Sequence, residues 1–178
     1  MRSRLPVAAA TLMALMTAGC ATNFNAELMR SEIHAQRGEN PLAAFELNLG
    51  KFTTMLIKSA LTGEDGDLPF AGIDSLHVAV YELPSAAGPA IDVTRIPVRG
   101  WEEVLRVLDE NRSGMVLIQP KGQVVGDLVV VGAGPRKVIY ARLKGRLNPD
   151  LPSRLGGVLR EGGPEEVQRV LSELGSSG

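Results

Sequence analysis

The sequence predicts a single α+β domain: a mixed, mainly antiparallel sheet of about five strands with amphipathic helices packed on it. Three observations lead to that class. Short stretches that alternate apolar and polar residues, the pattern of a half-buried strand, are bounded by Gly and Pro turn signals. Three of them follow one another closely between residues 115 and 145, as in a meander. Elsewhere the apolar spacing changes to i, i+3, i+4, i+7, the stripe of a helix buried on one side. At 178 residues and 44% hydrophobic content, the chain can build one core and has no room for several domains.

The first segment reads as an address. Residues 1–20 are MRSRLPVAAATLMALMTAGC, with Arg2 and Arg4 ahead of an apolar stretch over 5–17 and the small residues Ala18 and Gly19 before Cys20. This is the layout of an export signal. The apolar stretch is shorter than the roughly 20 residues a membrane-spanning helix needs. Met16-Thr17-Ala18-Gly19-Cys20 resembles the bacterial lipobox, with Thr17 standing where Leu is usual. The resemblance implies a signal peptide over 1–19 and a Cys20 that carries fatty acid (palmitate) as the new N-terminus. Several acyl chains on one residue anchor stably, at about 0.8 kcal/mol per buried CH₂. Cys20 is the only cysteine, so acylation leaves the mature domain free of thiols and disulfides in an oxidising compartment. Ala21 follows, not the Asp associated with inner-membrane retention, which favours the outer membrane, facing the periplasm.

Residues 20–42 read as the lipidated Cys and a flexible tether, polar and without a sustained period apart from a short helix at 26–36. Such a chain spans on the order of 25 Å. His34 lies here and is expected to be solvated. The globular domain then occupies 43–175, with 176–178 as a disordered tail.

Within the domain, 43–50 forms a strand with Phe45, Leu47 and Leu49 on one face. The stretch 51–61 switches to helical spacing through Phe52, Met55, Leu56, Ser59 and Ala60, and Gly63 is placed to end it. The acidic loop 62–67, TGEDGD, lacks the spacing of a calcium-binding loop and reads as an exposed turn. Residues 73–83 give the clearest strand, with Leu76, Val78 and Val80 opposite His77, Ala79 and Tyr81. A short extended piece is expected at 91–98. The segment 100–108 reads as a helix, because Trp101, Val104, Leu105 and Leu108 make an apolar stripe and Glu102 and Glu103 suit a helix N-terminus. Trp101 is assigned to the core.

The meander comprises strands at 115–120, 123–132 and 137–145, with turns at Lys121-Gly122 and Gly134-Pro135. Leu128, Val129, Val130 and Val131 are apolar on both faces, so that strand is central. In the third strand Ile139, Ala141 and Leu143 alternate with Tyr140, Arg142 and Lys144. Two helical segments close the chain. The first follows the Asn148-Pro149-Asp150 cap and carries Leu151, Leu155, Val158 and Leu159; the second starts at Gly163-Pro164.

From about Phe45 to Leu159 this order resembles the bacterial envelope proteins grouped as "domain of unknown function 4252". The resemblance rests on Leu47-Asn48-Leu49-Gly50, the 73–82 strand, Gly100-Trp101, Gly126-Asp127-Leu128-Val129-Val130-Val131 and Lys144-Gly145-Arg146-Leu147. It implies an exported, often lipidated, small α+β domain, and it supplies no catalytic residues.

Function is narrowed mostly by exclusion. A net charge of −1 gives no electrostatic footprint for nucleic acid. Two His and one Cys are too few for common zinc sets, so neither metal nor cofactor is expected. The Gly-x-Gly after Val131 has Lys137 at the third glycine position and a strand beyond it, which makes it a hairpin turn and not a dinucleotide loop. No Gly-x-Ser-x-Gly elbow is present, and His77 is the only His in a regular domain element. The expectation is a lipid-anchored, non-catalytic envelope module that binds an envelope protein. The alternatives are a periplasmic hydrolase using Asp or Glu in a cleft, and a small-ligand carrier. His77, Tyr81, Tyr140, Arg142 and Lys144 fall on one side of the sheet. They form either an exposed interaction face, for which aromatics and Arg are the usual residues, or an ordinary sheet face that is wet or covered by the C-terminal helices.

Overall fold

The computed structural model describes residues 22–50, 72–84 and 90–176. Its elements are α1 (Ala26–Arg37), β1 (Leu42–Leu49), β2 (Ile73–Glu82), a 3₁₀ turn (Val93–Arg95), β3 (Glu102–Leu108), β4 (Ser113–Lys121), β5 (Val124–Ala133), β6 (Lys137–Leu147) and α2 (Leu151–Ser176). The strands form one sheet in the order β1-β2-β6-β5-β4-β3, and each neighbouring pair is antiparallel. The fold is α+β, with six strands where about five were expected. The signal peptide and Cys20, the helix at 51–61, the acidic loop at 62–67 and the last two residues lie outside the described residues.

The sheet has two apolar faces because its central strand β5 is apolar at consecutive positions over 128–131. On β5, Leu128 and Val130 point to one face and Val129 and Val131 to the other, all buried. One face packs on α2 through Leu155, Leu159 and Val167. Small residues permit this approach: a Cβ on Gly114 or Gly132 would stand 2.7 or 2.8 Å from a Leu159 methyl. The span of α2 contains a break at Gly163, which takes φ 69° and ψ −161° and is followed by Pro164. The expected pair of helices is therefore present, divided at the non-helical Gly163.

The other face is covered by two segments, residues 90–98 and α1. β2 lies second in the sheet and β3 at the far edge, so the chain between them crosses the face. It buries Ile91, Val93 and Ile96 as it does so. Beside it lies α1, capped by the Asn25 side chain accepting from the Leu28 amide and closed by Gly38 at φ 67°. Gln36 of α1 joins the two segments: its Nε2 donates to the Asp92 carbonyl and its Oε1 accepts the Asp92 amide, at 3.0 and 2.7 Å.

Two expectations are corrected here. Residues 22–37 are no tether but a layer of the fold, with Phe24, Met29 and Ile33 at most 1% exposed; His34 is solvent-exposed as expected. The stretch at 102–108 is a strand, not a helix. A bulge between Glu103 and Leu105 breaks its alternation and imitates helical spacing. As an edge strand it leaves Val104 and Leu108 exposed while Leu105 packs beneath α2.

Candidate functional site

The β2–β6 register sets His77 opposite Arg142 and Ala79 opposite Tyr140. With side chains alternating along each strand, His77, Tyr81, Tyr140, Arg142 and Lys144 do share a face. That face is not an open interaction surface. Tyr81 and Tyr140 are 0% exposed, and their cover is the N-terminal segment 22–37, on the side away from α2.

Both phenols are used as pegs. Tyr81 donates to the Ala26 carbonyl at 3.0 Å and Tyr140 to the Phe24 carbonyl at 2.9 Å. A buried hydroxyl without a partner would cost about 1–3 kcal/mol, so these bonds fix where the segment can lie. Burial holds both phenols neutral. It raises the Tyr81 pKa, with Arg30 opposing, and pushes Tyr140 up to about 12, with Arg142 opposing.

Arg142 completes the arrangement. Its Nε and Nη2 donate to the Asp127 carboxylate at 3.0 and 2.7 Å, while Nη1 donates to the Phe24 carbonyl at 2.7 Å and to Asn23 Oδ1 at 3.3 Å. Its guanidinium also stacks 5.4 Å from the Trp101 ring centre. The Asp127 hydrogen bonds raise the Arg142 pKa further, against the effect of desolvation. Trp101 meets Phe24 edge-to-face at 5.5 Å, packs on the core as assigned, and donates its Nε1 to the Thr22 carbonyl at 2.8 Å. Thr22 in turn donates its amide to the Arg99 carbonyl at 2.8 Å and its hydroxyl to the Pro97 carbonyl at 2.5 Å. Residues 22–24 are thus clasped from both sides.

Towards β1, His77 lies edge-on to Tyr140 at 5.4 Å, and its Nε2 is 3.3 Å from Glu46 Oε1. Glu46 also pairs with Arg30 of α1 at 2.6 Å. Arg30 covers the Tyr81 ring at 5.6 Å. Lys144 stands at the rim, its side chain 50% exposed and 4.0 Å from Asp127.

This geometry binds a chain segment, and the segment it binds is the protein's own. Among the described residues no group of three or more His, Cys, Asp or Glu could hold a metal ion, and no helix is long and apolar enough to cross a membrane. Sequence reasoning missed Asp127 and the 22–24 segment as members of the site. Asp127 did leave a signal: an acid in phase with Val129 and Val131 on a core face requires a buried cation. Residues 22–24 left none, since Phe24 and Tyr140 are 116 positions apart. Comparison of the chain with protein-family models, with curated proteins and with solved structures finds no match.

Proposed function

We propose that this chain is a lipid-anchored bacterial envelope module, exported by residues 1–19, acylated on Cys20 and held at the outer membrane facing the periplasm. It acts by binding an envelope protein and not by catalysis. The observation that carries this reading is the lone cysteine closing an export signal after Ala18-Gly19. The resemblance to the "domain of unknown function 4252" proteins points the same way. Since the tyrosine face is filled by the chain itself, the exposed large apolar side chains among the described residues lie on the edge strands. There Leu42 and Phe45 of β1 and Val104 and Leu108 of β3 are exposed, beside the unpaired backbone groups that edge strands present.

Metabolic labelling with a fatty-acid analogue, combined with detergent-phase partition, tests the anchor. The parent should take label and enter the detergent phase; Cys20→Ser should do neither. A Cys20→Ser protein that partitions like the parent contradicts the reading. For the binding surface, crosslinking in intact cells should lose its adduct in Leu108→Glu or Phe45→Glu, and an unchanged adduct in both removes the edge strands from the proposal.

A further inference from the structure

We infer that the domain sits directly on the lipid headgroups, with the end of the sheet around 97–101 as its membrane-facing surface. The inference rests on the acylation of Cys20 proposed above. Only Ala21 separates Cys20 from Thr22, and Thr22 is fixed to the domain. Its amide, hydroxyl and carbonyl are all hydrogen-bonded, to the Arg99 carbonyl, the Pro97 carbonyl and Trp101 Nε1 respectively. Phe24, two residues on, is fully buried, and its carbonyl accepts from Tyr140 and Arg142.

Two trans peptide steps reach at most about 7.6 Å between Cα atoms. The headgroup layer on each side of a bilayer is about 5–7 Å deep. With fatty chains of Cys20 in the hydrocarbon, Thr22 can rise to about the outer edge of the headgroup layer and no further, so the domain fixed to it rests against that layer. A loose linker of some twenty residues would give the domain about 25 Å of freedom; here the residues that would form such a linker are folded into the domain.

The chemistry of this end suits a phospholipid surface. Pro97, Arg99 and Gly100 are exposed, and Trp101 is partly so. Trp rings of this kind, apolar with one N–H, favour the membrane–water boundary. Gln119 Nε2 holds the Gly100 carbonyl at 3.2 Å, which places the end of β4 beside the loop. The strand register brings Lys121, Lys144 and Arg146 to the same end, together with Asp74, Glu102 and Asp150. The charges are mixed, so the covalent anchor sets the contact and an anionic lipid is not required. The opposite end of the sheet, with Leu108 and the β5–β6 turn, points away from the bilayer.

Trp101 is the only tryptophan in the chain, so its fluorescence tests the seating directly. The acylated full-length mature protein is reconstituted in phosphatidylcholine vesicles carrying a headgroup nitroxide quencher. It is compared with a variant holding a 20-residue Gly/Ser insertion between Ala21 and Thr22. Both should float with the vesicles; the parent should lose half or more of its Trp101 emission, and the insertion variant several-fold less. Equal quenching of the two floated proteins overturns the seating while the anchor stands. A parent that fails to float overturns the anchor, and the seating with it.

Discussion

The two faces of the sheet are closed by different physics. The face under α2 is closed by shape: Leu155, Leu159 and Val167 settle on Val116, Leu128, Val130 and Ile139, with glycines opposite Leu159. The face under α1 is closed by direction. Its covering segment buries Phe24, Met29 and Ile33 and is held in addition by two phenols, one guanidinium and one indole acting on backbone carbonyls. Apolar burial is non-directional, whereas hydrogen bonds to named carbonyls also fix the direction in which the segment runs. Under the proposed acylation of Cys20, two residues before Thr22, the second kind of attachment matters because a pull on the anchor is resisted by specific bonds.

The comparison can be broken most sharply at Arg142. Its ion pair with Asp127 is mostly buried, the side chains being 16% and 11% exposed. Among the described residues, Arg142→Ala leaves Asp127 with only the distant Lys144 as an ion-pair partner and should destabilise by about 3 kcal/mol, measured by urea unfolding. Arg142→Met combined with Asp127→Leu should recover most of that loss, since an apolar pair replaces a buried ionic one at little cost. Failure of the double variant to recover would show that the contacts to Phe24 and Trp101 outweigh the pair.

On the opposite face, Gly132→Ala puts a Cβ 2.8 Å from Leu159 Cδ1 and should cost about 1–3 kcal/mol by overpacking. Combining it with Leu159→Ala should give less than the sum of the two single losses, because the first methyl enters the space the second vacates. Strict additivity would contradict closure by shape. A smaller effect is expected for Tyr140→Phe, about 1 kcal/mol, because the Phe24 carbonyl keeps its bond from Arg142.

The smallest effect is the response to acid. Burial acts to raise the Asp92 pKa, but hydrogen bonds from Thr94 and from Arg95 outweigh it and hold it below the ordinary value. Glu103 is lowered by Arg106. Groups lowered in the folded state stabilise it above the unfolded carboxylate pKa of about 4 and lose that contribution as pH falls through their folded values. The melting temperature should therefore be flat from pH 7 to 5 and decline below about 4, by less in Asp92→Asn than in the parent.

How much of this was legible in the sequence follows the same division. The meander and its central strand were readable because Leu128, Val129, Val130 and Val131 leave few alternatives to burial on both sides. The sharing of one face by Tyr140, Arg142 and His77 was readable from period-two alternation. That this face is covered was not, because α1 shows only Ala26, Met29 and Ile33 as a thin stripe in a polar stretch, and its bonding partners are tens of residues away. β3 was misread because one bulge converted a strand's alternation into a helix-like spacing. Local pattern reports local structure; attachment by direction depends on partners it does not contain.

The central claim, that residues 22–37 close the tyrosine face, is tested most directly by alkaline titration. Tyr81 and Tyr140 are the only tyrosines in the chain, both with raised pKa and Tyr140 at about 12. Groups raised in the folded state stabilise it below the unfolded pKa of about 10 and lose that contribution as pH climbs through the folded value. Tyrosinate absorbance should rise at higher pH than for free phenols, the Tyr140 part only towards about 12, together with the loss of the sheet's circular dichroism. Reversible ionisation of either phenol near pH 10, with the sheet signal intact, would mean that the face is open and the N-terminal segment is not its cover.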